Sequence, residues 1–240
     1  ISHILSVATT ALAPMIWGST YLVTTQWLPA NHPISIAVIR VLPAGLLLLL
    51  YCREWPRKHN WLALFVLSAL NIAVFQTLLF VAAYRLPGGI AAIFGAMQPL
   101  FLMLLVWFFD RVQPALITVI AALVGVFGMS ALLLTPTTNW DERGLLAAFF
   151  GATAMGVGTY LARRWQVQLS IFAFTGWQLT LGGLMLVPLA AWLEPPIVHV
   201  DLQALFGFSY LCIAGALIAY VLWFRGIVTL SPIAVASLGL

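Results

Sequence analysis

The sequence predicts an all-α protein embedded in a lipid bilayer, and three observations support this. Only 7% of its 240 residues are charged, against 63% hydrophobic, whereas a soluble domain carries about 25% charged residues. Uncharged runs recur along the chain, most of them at least as long as the roughly 20 residues a helix needs to cross a bilayer. A chain of this length buries one ordinary core, not a succession of long apolar runs, so most of its surface must face lipid. Backbone groups in lipid must pair within the protein, and runs this long suit helices rather than barrel strands of about ten residues.

The runs can be taken in order. The first covers residues 4–31. Another follows it at once and there is no cleavable signal pattern, so it reads as the first span. The second, 33–52, holds a single charge, Arg40. Runs at 60–84, 86–109 and 112–140 come next, then a slightly shorter one at 144–162, then 165–193 and 202–224. A ninth begins near Leu230 and stops at Leu240, too soon to cross. Cys52 and Cys212 fall near the ends of different helices without metal-ligand spacing and read as free thiols.

Lys and Arg mark the cytoplasmic side of a membrane protein. One set of alternate loops carries Arg53, Arg57, Lys58, Arg111, Arg163, Arg164 and Arg225, and the opposite set carries Arg85 and Arg143. This places the N-terminus in the cytoplasm. Trp27, Trp140 and Trp192 then sit near the outer ends of their spans, and Trp55, Trp61, Trp107 and Trp165 near the inner ones, as interfacial anchors. The net charge of +4 lies in the loops and speaks to orientation, not to nucleic acid.

Internal similarity is weak at each point but keeps a common order. Residues 8–22 lie on 147–161, pairing Thr20-Tyr21-Leu22 with Thr159-Tyr160-Leu161. Helix 2 then lies on helix 7 with Arg40 opposite Gln178, and 86–95 on 230–239. The unit is five helices, and an odd number inverts the second copy in the membrane. The first repeat is expected over 1–138 and the second over 139–240. By that plan the second copy continues for roughly forty residues more, so the chain reads as a fragment.

Trp17-Gly18-Ser19-Thr20-Tyr21 resembles the Trp-Gly-Ser/Thr signature of EamA-type members of the drug/metabolite transporter superfamily. Arg40, the Leu-Pro-Gly-Gly turn at 86–89, an Ala-rich helix 4 with Pro99, and Gly128 follow in the family's order. Within the family the chain looks most like YddG-type aromatic amino-acid exporters. One departure is Asp110-Arg111, where the family usually has Glu-Arg. The resemblance implies a ten-helix inverted-repeat (5+5) transporter fold around a central cavity, of which about eight and a half helices are present. It also implies export, from the bacterial inner membrane, of amino acids (aromatic and other neutral ones) or related small metabolites. A broad-specificity drug or metabolite permease is the alternative.

Candidate site residues are drawn from the groups at membrane depth. No Asp, Glu or His falls inside a complete span, and Arg40 is the one deep charge. It reads either as an anion anchor or as an Arg that snorkels or binds carbonyls of a neighbouring helix. Ser19, Thr20, Asn71, Gln76, Gln98 and Gln178 are deep uncharged polar residues, suited to a zwitterion or to bonds between helices. Gln98 stands out because Pro99 disturbs the backbone beside it. Trp17 and Tyr21 share a helix face, with Tyr160 in the matching segment. Phe75, Phe94, Trp177 and Tyr220 complete the deep aromatics. Trp17, Asn71, Gln98 and Tyr160 are expected to face a cavity bounded by helices 1, 3, 4, 6, 8 and 9. Ala148, Ala152 and Gly156 form a small-residue stripe suited to close helix approach. No motif for hydrolysis, metal binding or a selectivity filter is visible, which weighs against an intramembrane enzyme or a channel. The partners expected are a small-molecule substrate and the lipid bilayer, with no metal or other cofactor and no required oligomer.

Overall fold

The computed structural model describes residues 3–86, 88–133, 141–198, 200–231, 234, 235 and 238. Among them are eight helices: α1 (His3–Trp27), α2 (Pro33–Cys52), α3 (Lys58–Arg85), α4 in two pieces (Gly88–Ala96 and Gln98–Asp110), α5 (Leu116–Leu133), α6 (Glu142–Trp165), α7 (Ile171–Leu193) and α8 (Leu202–Thr229). Six stretches, 33–52, 58–85, 93–110, 142–165, 171–193 and 202–229, are long and apolar enough to cross a membrane. Arg225 lies within the last turns of α8 rather than in a loop, because that helix runs on to Thr229. Trp140, His199, the boundary between 138 and 139, and most of the stretch after Leu230 lie outside the described residues.

Local chemistry sets the helix ends. Pro33 opens α2, where a missing N–H costs nothing. Asp141, Ser170 and Asp201 accept bonds from the free amides that open α6, α7 and α8. The Gly144 amide, and then Arg85, hold the Asp141 carboxyl below the usual carboxylate range. Arg53, Arg111 and Gln166 end α2, α4 and α6 in the left-handed region, with φ of 52°, 57° and 42°.

The centre of the bundle is the contact between α2 and α7. Counted from the first residue of each helix, Gly45 and Gly183 hold the same place, as do Leu42 and Thr180. A Cβ on Gly45 would lie 2.5 Å from Thr180 Oγ1, and one on Gly183 would lie 2.8 Å from Leu42 Cβ. The two contacts are reciprocal: each helix offers a bare glycine to the other's side chain. The helix ends repeat the pattern. Glu194, just after α7, accepts from the Ile34 and Ser35 amides that open α2 (2.6 and 2.7 Å). Glu54, just after α2, accepts from the Ser170 amide at the start of α7 (3.2 and 3.1 Å). A carboxylate is favoured at both places by the helix dipole.

Helices α3 and α8 are each 28 residues long. Each contains a π-helical turn, Ala69–Val74 and Ile213–Ile218, that begins eleven positions in. A π turn takes up one extra residue and leaves the local carbonyls poorly paired. Around this frame, α1 packs on the second half of α8, and α6 on the second halves of α3 and α4. Helix α5 touches mainly α4 and turns Leu116, Ile117 and Phe127, each at least 70% exposed, away from the bundle.

Candidate functional site

Small side chains hold a space open. Ala147, Ala148, Gly151 and Ala152 give α6 a low face opposite α1 and α3. Between them lies a cavity of about 450 Å³, within the range of small-molecule sites. Helices α1, α3, α4, α6 and α8 wall it, joined by Arg40 of α2, Met129 of α5, and Leu238. Met97 interrupts α4 beside it, where Pro99 cannot supply a backbone donor.

The cavity's charge is Arg40, 2% exposed. Its Nη2 donates to the Gly215 carbonyl at 2.9 Å, and Trp17 Nε1 donates to the same oxygen at 2.9 Å. Gly215 lies in the π turn of α8, so the two side chains supply donors where the helix itself pairs poorly. Arg40 Nη1 reaches Gln76 Oε1 at 3.5 Å, and Gln76 Nε2 donates to Tyr220 Oη at 2.6 Å. The Phe80 ring lies 5.8 Å from the guanidinium carbon. The Trp17 ring stands 5.1 Å from Tyr220 and 5.2 Å from Trp223.

No carboxylate balances this charge. The ion pairs among the described residues, Arg85–Asp141 and Arg164–Asp110, lie at the bundle's two ends. Burying an ion costs several kcal/mol, of which a hydrogen bond to a charged group returns only about 1.5–3 kcal/mol. Arg40 Nε, Gln98 Nε2 and Thr24 Oγ1 are buried without a partner, and all three residues line the cavity.

Of the residues singled out in the sequence, Trp17, Thr20, Tyr21, Arg40, Phe75 and Gln98 line the cavity. Gln76 and Tyr220 sit directly behind Arg40. The rest are engaged elsewhere. Ser19 shares a 2.6 Å hydrogen bond with Tyr210. Asn71 donates to Gln178 at 2.9 Å in the contact of α3 with α7. Phe94 packs against the cluster of Ala82, Leu86, Ile90, Ala147 and Ala148, its ring 6.5 Å from Phe149. Trp177 donates to the Glu54 carbonyl and meets the Trp55 and Trp61 rings. Tyr160 donates to Asp110 at 2.8 Å near the end of α6. Of the four residues expected to face the cavity, Trp17 and Gln98 do so and Asn71 and Tyr160 do not. Of the small-residue stripe on α6, Ala148 and Ala152 line the cavity and a Cβ on Gly156 would stand 3.6 Å from Phe101 Cβ; α6 comes closer to α3 at Gly144, against Leu86, and at Gly158, where a Cβ would collide with the Asn71 amide. Thr24 and Met129 were not foreseen, having no sequence signal beyond their places in apolar runs.

The EamA-like transporter family model matches residues 4–134 and 142–240. The chain belongs to the EamA-like transporter family. Protein PecM of Dickeya dadantii is 43% identical over 230 residues, covering 95% of this chain and 77% of PecM. The uncharacterized inner membrane transporter YedA of Escherichia coli K12 is 24% identical over 210 residues, covering 85% and 68%. A crystal structure 18% identical in sequence superposes with a TM-score of 0.81 over 99% of this chain and 84% of its own, and so shares the fold. As an EamA-like transporter, the chain is a multi-pass membrane protein, and the apolar spans face lipid.

In this EamA family member the cavity lies toward the end of the bundle that carries Arg85 and Asp141. The opposite end carries a set of polar contacts between helix ends. Asp110, at the end of α4, accepts from Tyr160 and from Arg164, and Arg164 also donates to Tyr160 Oη. Arg163 reaches the Leu230 carbonyl at 2.9 Å, and Arg57 reaches Gln168 Oε1 at 2.8 Å. Asp110, given no special role on sequence grounds, joins α4 to α6 through two of these contacts.

Proposed function

We propose that the chain is a bacterial inner-membrane secondary transporter that exports amino acids, aromatic and other neutral ones, or related small metabolites, by alternating access. The observation that carries this reading is the cavity walled by Trp17, Tyr21 and Phe75, with a few polar groups in its lining residues. Aromatic walls suit a bulky apolar side chain, and Arg40, Gln98 and Thr24 can fix a polar end. Two inverted halves, 1–138 and 139–240, fit the reciprocal glycine contacts, the crossed Glu54 and Glu194 caps and the matched π turns. The contacts at Asp110 suit one state of an alternating cycle, and the excess of Lys and Arg at that end supports a cytoplasmic N-terminus. Flexible Met15, Met129 and Met155 in the wall favour a broad-specificity permease as the second reading.

The test is release of a labelled amino-acid panel from proteoliposomes. Phenylalanine, tyrosine and tryptophan should leave faster than from protein-free vesicles. Equal rates for the whole panel would refute the reading. Orientation is checked with a cysteine at position 57, which should resist an impermeant thiol reagent in intact cells.

A further inference from the structure

We propose that the cavity recognises the carboxylate of its substrate and makes no demand for an ammonium group, so that it takes apolar carboxylates in general, deaminated acids included. This rests on the transport reading above and narrows it to a charge class.

The polar atoms without partners in the residues lining the cavity are Arg40 Nε, Gln98 Nε2, Trp223 Nε1 and Thr24 Oγ1. The three nitrogens can only donate, and the hydroxyl can donate or accept. An anion entering here meets the field of a fixed positive charge, and the residues that form the wall hold donors still free of partners. An ammonium group meets nothing equivalent. The chain's acidic residues are Glu54, Asp110, Asp141, Glu142, Glu194 and Asp201, and none lines the cavity. The nearby Gly215 carbonyl already accepts from both Trp17 and Arg40. The acceptors left, which include Gln98 Oε1 and the Tyr21 and Thr24 hydroxyls, are neutral.

A purely architectural role for Arg40 is weighed by comparison within the chain. Gln178 holds the same place in α7 that Arg40 holds in α2. Each binds the π turn of a helix from the other half: Gln178 accepts from Asn71, and Arg40 donates to Gly215. Asn71 and Gly215 occupy the same position in their own turns. A neutral amide therefore serves to join these helices. The guanidinium exceeds that need, and of the two residues only Arg40 lines the cavity.

The test uses the full chain in nanodiscs and isothermal titration with four ligands of one shape: L-phenylalanine, 3-phenylpropionate, 2-phenylethylamine and 3-phenylpropanol. The two carboxylates should bind within about threefold of each other, and the amine and alcohol at least about tenfold more weakly. Arg40→Gln should remove the gap between acid and alcohol, and Arg40→Lys should keep part of it, lacking the planar fork. The four wild-type affinities decide the matter even if a variant does not fold. Equal binding of all four overturns the carboxylate assignment and leaves the transport reading standing. Binding of phenylalanine without phenylpropionate overturns it too, since the ammonium group is then required. If none of the four binds, the aromatic-solute reading fails with it.

Discussion

At the scale of single residues, Tyr220 shows how much a buried polar contact contributes. Its hydroxyl accepts from Gln76, which in turn stands beside Arg40. Tyr220→Phe keeps the ring against Trp17 but leaves the buried Gln76 amide without an acceptor. The expected loss is roughly 1–3 kcal/mol, read as a lower thermal midpoint in detergent. An unchanged midpoint would mean that Gln76 finds another partner. Contacts of this kind were only half legible in the sequence. Arg40, Gln76, Asn71 and Gln178 stood out as polar groups in apolar runs, and each is engaged in a contact between helices. Composition cannot separate Gln98, whose amide nitrogen is unpartnered at the cavity, from Asn71, which is bonded to Gln178. That difference depends on which helix lies opposite.

At the scale of elements, helix existence was legible because an apolar run bounded by charges admits little else in lipid. The faces were not. A helix that is apolar all round gives no periodic signal, and the π turns in α3 and α8 rotate the remainder of each helix by about 100° relative to a regular one. Phe75 and Gln76 lie just past such a turn, as do Ala219 and Tyr220, so spacing alone cannot place them. Glycines were similarly silent. Gly45 is pinned between α2 and α7, 2.5 Å from Thr180 Oγ1 and 2.6 Å from its backbone nitrogen once a Cβ is added. Gly128 has nothing within 4 Å. Gly45→Val should cost about 1–3 kcal/mol or prevent folding, because the Thr180 backbone cannot rotate away. Gly128→Ala, in open space within α5, should be neutral or stabilising by up to about 1 kcal/mol. Size-exclusion profiles and thermal midpoints of the two variants check this, and a normal Gly45→Val protein would show that α2 and α7 separate more easily than their packing implies.

At the scale of the whole molecule, the distribution of charge determines which gradients can drive transport. Titratable carboxylates lie at the helix ends, where Asp110 and Asp141 form ion pairs with Arg164 and Arg85. The cavity has Arg40, which stays protonated and cannot relay protons, and among its lining residues there is no Asp, Glu or His. Coupling to a proton needs a group at depth that takes it up and gives it away. A pH gradient imposed across proteoliposomes, with the potential clamped, should therefore leave phenylalanine flux nearly unchanged. The potential should act differently on the two carboxylates. A zwitterion carries no net charge and should be indifferent to it. A deaminated acid crossing as an anion feels about 2.3 kcal/mol per 100 mV, roughly 50-fold in its equilibrium distribution, and an inside-negative potential pushes it out. Protein-free vesicles at fixed pH set the baseline for leakage of the neutral acid. Strong uphill accumulation of phenylalanine on a pH gradient would reject uncoupled transport and call for a proton carrier away from the cavity wall. Equal insensitivity of both substrates to the potential would mean that the acid does not cross as an anion.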